Sequence, residues 1–165
     1  ELCDGVILHS FNTPQYTRDV VLPNLQKGAE RVGRSIEDIT ISGGGFIVAG
    51  KNEEELEKKR KETKTRISFY ASTRSYGDVM RTQGWNDTHE KLYRMSIDGK
   101  WNQMGDEITD EMLDSFAVIG TYDQIAGKIK STYGKYATSV SFGMDTQNEE
   151  EENILRDVIK NLKGS

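Results

Sequence analysis

The stretch Ile39 to Gly50, ITISGGGFIVAG, constrains the fold of this chain most. It reads as a β-strand with three glycines, Gly43, Gly44 and Gly45, at its centre. Glycine weakens a strand interior, so its presence there marks a bulge or a close approach by a ligand or by other backbone. Two shorter apolar runs share its character, Gly5–Ser10 (GVILHS) and Thr138–Gly143 (TSVSFG). Segments with helical spacing separate the three. The order strand, helix, strand, several helices, strand, helix predicts parallel strands joined by helical crossovers.

The intervening segments carry their own punctuation. Thr13–Pro14 is a helix start, a capping hydroxyl followed by proline at the first helical position. Leu22, Leu25, Ala29 and Val32 continue it at helical spacing, Pro23 kinks or restarts it, and Gly33 stops it. Asn52 with Glu55 and Thr121 with Gln124 have capping-box spacing, and Thr109 is a third cap. Leu56, Thr63, Ile67 and Tyr70 mark the buried side of the helix after the glycine strand. Residues 72–105 are irregular, rich in large side chains (Tyr76, Trp85, Tyr93, Trp101, Met104) and broken by Gly77, Gly84, Gly99 and Gly105, and Asp110–Phe116 makes a further short helix. They predict short packed helices, with Trp85 and Trp101 as core. Phe116–Gly120 leads into the helix whose stripe is Ile125, Ala126, Ile129 and Tyr133. The last helix opens on four glutamates, Glu149 to Glu152, which suit the positive end of its dipole.

Composition narrows the function classes. The chain of 165 residues is long enough for one domain with a core, and we read residues 1–165 as one domain with 72–116 as a helical insertion. A formal net charge of −5 gives no electrostatic reason to expect nucleic acid. The basic run Lys58, Lys59, Arg60, Lys61, Lys64 and Arg66 is interleaved with Glu53, Glu54, Glu55, Glu57 and Glu62, which reads as a solvated helix face. No apolar run reaches the roughly 18 residues of a membrane span. The lone cysteine, Cys3, excludes an internal disulfide and suits a reducing cytoplasm. His9 and His89 stand apart from each other and from Cys3, without metal-ligand spacing, so no metal site is expected. GGGF lacks the G-x-G-x-x-G spacing of a dinucleotide fingerprint. The first strand begins within about four residues of a start that is not Met, as expected for the later part of a longer protein.

The candidate site lies at the end of the first strand. His9, Ser10, Phe11 and Asn12 follow it, and sites in parallel α/β folds are built at the C-terminal strand ends. A histidine there is either satisfied by loop backbone or turned to a ligand. Tyr70, Ser72, Thr73 and Tyr76 form a second polar and aromatic group. Gly44 and Gly45 serve either close packing or room for a flat ligand.

Several of these runs are similar to a known family. DGVILHSFNTPQY, VVLPNLQKGAERVGR, SGGGFIVAG, FYASTRSY with QGW, and GKWNQMGDEITDEMLDSFAVIGT resemble the luciferase-like monooxygenase superfamily. More narrowly, they resemble the C-terminal half of its branch of oxidoreductases that use coenzyme F-420, a deazaflavin. The resemblance runs to about Met144. It implies an α/β fold, a (β/α)₈ TIM-type barrel, with the three strands here as the sixth, seventh and eighth and residues 72–116 as the insertion between the last two. It implies hydride transfer between F-420 and a small organic substrate, the alternative being a monooxygenase that uses flavin mononucleotide (FMN). In the family the loop after the sixth strand meets substrate or cofactor. The residues matching that loop are His9, Ser10, Phe11 and Asn12, with Tyr70, Thr73 and Tyr76 covering the site. Among these, His9 is the candidate to orient or protonate substrate. The family places its main catalytic residues on the first half of the barrel, which becomes the expected partner of this chain, and its members often form homodimers. A non-catalytic barrel fragment acting as a binding or assembly module is the reading of a different class.

Overall fold

A computed structural model describes residues 2–144 and 146–164. Strands β1 (Gly5–Ile7) and β2 (Thr40–Ser42) pair in parallel with Val6 opposite Ile41. Leu8 N–H extends the ladder to the Ser42 carbonyl at 2.8 Å. On the other side of β2, Ser139 bridges Ser42 in parallel, with Thr138 N–H on the Ile41 carbonyl (2.8 Å) and Gly43 N–H on the Ser139 carbonyl (3.0 Å). The three apolar runs therefore lie side by side in chain order, parallel, as their spacing predicts.

The glycine stretch is two strands instead of one. Gly43 has φ +124°, a conformation that side-chain-bearing residues rarely adopt, and the chain turns there. It resumes as β3 (Phe46–Gly50), which leaves the first array and pairs in parallel with β4 (Ala117–Thr121), Phe46 opposite Ala117. The segment read as a lead-in to a helix is thus a strand. Periodicity hides it because both of its faces are buried. Phe46, Val48, Ala117 and Ile119 face one core, and Ala49 and Val118 face another. With β2 turned away at Gly43, residues 140–143 have no ladder partner among the described residues, so the expected third strand shrinks to its first contacts.

Helices cover both faces of the β3–β4 ribbon. The first helical run is α1 (Pro14–Tyr16), one π-helical turn (Thr17–Val21) and α2 (Leu22–Glu30). Thr13 caps it by accepting from Tyr16 N–H at 3.0 Å. Pro23 sits in the first turn of α2, so the helix restarts there; the wider turn before it absorbs the hydrogen bond that proline cannot make. Its C-terminal Gly33 takes φ +70°. Helix α3 (Glu53–Ala71) is capped by Asn52, which accepts from Glu55 N–H at 3.0 Å. The Glu55 carboxylate reaches one residue further back than a capping box requires, to Lys51 N–H at 2.8 Å. Residues 72–116 fold as α4 (Gly77–Thr82), α5 (Asn86–Ile97) and α6 (Asp110–Phe116), with 3₁₀ turns at Arg74–Tyr76 and Trp101–Glu107. Met80, Leu92, Met104, Ile108 and Leu113 fill their core. Trp85 packs against it, whereas Trp101 stays 47% exposed beside Phe69, because its short 3₁₀ turn runs over the outside of α3.

Helices α7 (Tyr122–Tyr133) and α8 (Glu149–Lys163) close the other face around Ile125, Ile129, Tyr133 and Val158. Thr121 precedes α7 without a side-chain cap, contrary to its spacing, since β4 runs directly into the helix. Lys59 Nζ donates to the Ala49 carbonyl at 2.6 Å, and Lys128 Nζ to that of Ile119 at 2.8 Å. A carbonyl of each strand is thus held by the lysine of the helix that follows it. Among the described residues, no helix is long and apolar enough to cross a membrane.

Candidate functional site

The loop after β1 is wound tightly. Phe11 N–H donates to His9 Nδ1 at 3.0 Å, and Asn12 N–H to the Ser10 carbonyl at 2.9 Å. This turn drives Phe11 inward and leaves His9 outside. Phe11 is 1% exposed and stacks on Phe116 at 4.6 Å, the residue that ends α6. Tyr70, from the last turn of α3, and Tyr76, from the 3₁₀ turn after it, lie 5.8 and 5.5 Å from Phe11. His9 covers this group, edge-on to Tyr70 at 4.9 Å and stacked on Tyr76 at 5.2 Å. Two stretches some sixty residues apart in sequence thus meet as one aromatic face. It is open: His9 is exposed, and both tyrosines are half-buried.

Polar atoms frame the face. The other nitrogen of His9 and the hydroxyls of Ser10, Tyr70 and Tyr76 make no hydrogen bond among the described residues. Thr73 instead turns back on the end of α3, its hydroxyl 3.4 Å from the Phe69 carbonyl. Asn12 points inward. Its Nδ2 donates to Thr17 Oγ1 at 2.7 Å, while its Oδ1 is buried without a partner. Tyr136 also buries an unpartnered hydroxyl; burial raises its pKa, and Thr17 lies near enough to ease the shift without a hydrogen bond of good geometry. Gln83 Nε2 ties α4 to the loop through Thr13 Oγ1 at 2.8 Å.

Gly44 and Gly45 lie against α7. A Cβ on Gly44 would stand 2.8 Å from Tyr133 Cε2, and one on Gly45 would stand 2.1 Å from the Phe116 carbonyl oxygen and 2.7 Å from Tyr133 Oη. The volume left by the missing side chains is filled by Tyr133, which is 1% exposed and accepts from Gly45 N–H at 2.8 Å. Burial pushes its phenol up to about 12. Phe116, Thr17 and Tyr133 escaped the sequence reading as site neighbours. Phe116 and Tyr133 fit helical patterns and only tertiary packing brings them to the strand end, whereas Thr17 reaches Asn12 locally, five residues along the chain.

The basic face of α3 is largely engaged. Lys59 pairs with Glu55 at 2.6 Å, Lys64 with Asp110 at 2.8 Å and Arg60 with Asp114 at 3.7 Å. Among the described residues no group of His, Cys, Asp and Glu could hold a metal ion. His89 is buried, with Nδ1 on the Ala71 carbonyl at 2.6 Å. A separate cleft of about 510 Å³ opens between β3, α3 and residues 142–144, lined by Ile47, Lys59, Arg66, Tyr122 and Phe142 among others.

Parallel βα units with an aromatic, polar-rimmed strand end are the architecture of an α/β barrel protein. The chain belongs to the luciferase-like monooxygenase family, whose model matches residues 1–139. An uncharacterized protein of Mycobacterium tuberculosis is 37% identical over 131 residues, which are 79% of this chain and 38% of that protein. The 5,10-methylenetetrahydromethanopterin reductase of Archaeoglobus fulgidus is 23% identical over 99% of this chain and 50% of its own length. The structure of the coenzyme F420-dependent tetrahydromethanopterin reductase of Methanopyrus kandleri superposes with a TM-score of 0.70 at 22% identity, covering 93% of this chain and 43% of that one. The fold is therefore that of a luciferase-like TIM barrel. The chain spans between 38% and 50% of the length of these curated relatives.

Proposed function

We propose that this chain forms the last three β/α units of an oxidoreductase that transfers hydride between the deazaflavin coenzyme F-420 and a small organic substrate in the cytoplasm. The first half of the barrel is its partner, supplying the facing wall and the main catalytic groups. The observation that carries this reading is the open aromatic face of His9, Tyr70 and Tyr76 at the strand end, with unpartnered polar atoms around it. A flat ring system fits such a face, and two of the chain's distant relatives are reductases. Bound there, a deazaflavin supplies two-electron hydride chemistry. The residues of this chain bind and orient. Tyr70 and Tyr76 give a stacking wall, Ser10 offers a hydroxyl, and Phe11 and Phe116 hold the wall rigid and dry from beneath. Asn12, tied to Thr17, fixes the course of the loop.

The test is a fluorescence titration of the full-length protein with F-420 and, separately, with FMN. Saturable F-420 binding that weakens in Tyr76→Ala supports the reading. FMN binding in its place makes the protein a flavin-dependent member of the family, and binding of neither makes it a non-catalytic barrel.

A further inference from the structure

The loop after β1 fixes the protonation pattern of His9. A backbone N–H can only donate, so the 3.0 Å contact from Phe11 N–H requires a lone pair on Nδ1. A neutral imidazole carries one proton, which must then sit on Nε2. Any other arrangement of the ring gives up this bond from Phe11 N–H. Its plane is set as well, stacked at 28° on Tyr76 and standing at 76° to Tyr70. The ring is exposed, and Nε2 has no partner among the described residues.

We propose that His9, as the neutral ring this contact orients, is a donor whose Nε2–H binds a carbonyl-type acceptor on a flat ligand. Its Nδ1 is committed to the loop and its Nε2 already carries a proton, so in this state it abstracts no proton. The site thereby selects polarity. It favours a planar molecule with a carbonyl oxygen at its edge over an equally flat one that lacks it. The inference rests on the proposed function only in taking this face as a small-molecule site.

Two measurements test it on the full-length protein. With ¹⁵N-labelled histidine, long-range proton–nitrogen correlations read the tautomer, and the His9 signals are those lost in His9→Gln. The expected result is the Nε2–H form; an Nδ1–H ring overturns the proposal. Acetophenone and ethylbenzene, nearly equal in size, are then titrated while the His9 Nε2 resonance is followed. Acetophenone should shift it and ethylbenzene should not; equal shifts, or none from either, overturn the proposal. His9→Gln places an amide N–H near the Nε2 position, whereas His9→Asn can accept from Phe11 N–H but does not reach outward. Acetophenone should bind about three- to tenfold more weakly to His9→Asn than to His9→Gln, the effect of one neutral hydrogen bond. Equal binding counts against the donor. Failure to bind F-420 with the Nε2–H tautomer intact removes the cofactor reading alone, and F-420 binding with an Nδ1–H ring removes this one alone.

Discussion

Replacing Gly45 with alanine tests why the glycine stretch exists. Neither Gly44 nor Gly45 has positive φ, so a methyl group there brings contact and no backbone strain. At Gly45 the new Cβ would lie 2.1 Å from the Phe116 carbonyl oxygen, about 1.3 Å inside the 3.4 Å at which ordinary contact begins. That oxygen is backbone at the junction of α6 and β4, so relief requires moving a strand. Overpacking of this kind costs about 1–3 kcal/mol. The same methyl stands 2.7 Å from Tyr133 Oη, and displacing the phenol weakens a hydrogen bond contributing about 1 kcal/mol. The expected loss is about 3 kcal/mol, a large part of the roughly 5–15 kcal/mol that holds a typical domain folded. Gly44→Ala meets the Tyr133 ring at 2.8–3.0 Å and should cost less, since a side chain can shift more readily than a strand. Gly127→Ala is the control. It lies in α7 with nothing within 4 Å of its added methyl and should stabilise by about 0.5–1 kcal/mol. Equilibrium urea unfolding of the full-length protein, followed by far-ultraviolet circular dichroism, ranks the three. Gly45→Ala unfolding within about 0.5 kcal/mol of the parent would refute the close-packing argument.

Other perturbations follow from the same contacts. The Tyr133 phenol is raised from 10.0 to about 12, so its contribution is complete below pH 10 and is lost as pH rises through about 12; Tyr133→Phe should flatten that part of an alkaline stability profile. Glu55 titrates below its usual 4.5 because Lys51 N–H and the Lys59 ammonium hold its carboxylate, so its contribution is present above pH 4.5 and fades as pH falls through the lower folded value. Denaturant titrations at pH 3 and pH 6 should show a smaller acid loss in Glu55→Gln than in the parent. Burial opposes the Lys59 charge, and Glu55 and Tyr122 together outweigh it, so the ammonium stays protonated on the Ala49 carbonyl. The double variant Lys59→Met, Lys128→Met frees a carbonyl on each strand of the β3–β4 ribbon and should self-associate on light scattering, since uncovered edges invite strand pairing. Unchanged scattering would show that these lysines do not guard the edges.

Legibility followed the range of the interactions. Thr13, Asn52 and Thr109 cap their helices as their spacing predicts, because a cap involves neighbours three residues apart. The same is true of Pro23 and Gly33. The parallel order of the three apolar runs was readable too, since a helical crossover between short buried strands leaves few other arrangements. The site was readable as two separate groups, 9–12 and 70–76. That they form one face was not, because the Phe11–Tyr70 contact spans the whole of α2, β2, β3 and α3.

The sequence alone determined the capped helix starts at Thr13, Asn52 and Thr109, the βα alternation and the position of the loop that carries His9. Only the tertiary structure decided that the glycine stretch is a corner joining two strand pairs. Gly43 adopts a backbone conformation that residues bearing a side chain rarely take, and Gly44 and Gly45 admit Tyr133, which lies 88 residues beyond Gly45. It likewise decided that 117–121 is a strand, since burial on both faces erases the alternation by which a strand is recognised. The tautomer of His9 was decided last, by one backbone N–H two residues along the chain, in a turn whose shape depends on where Phe11 can be buried.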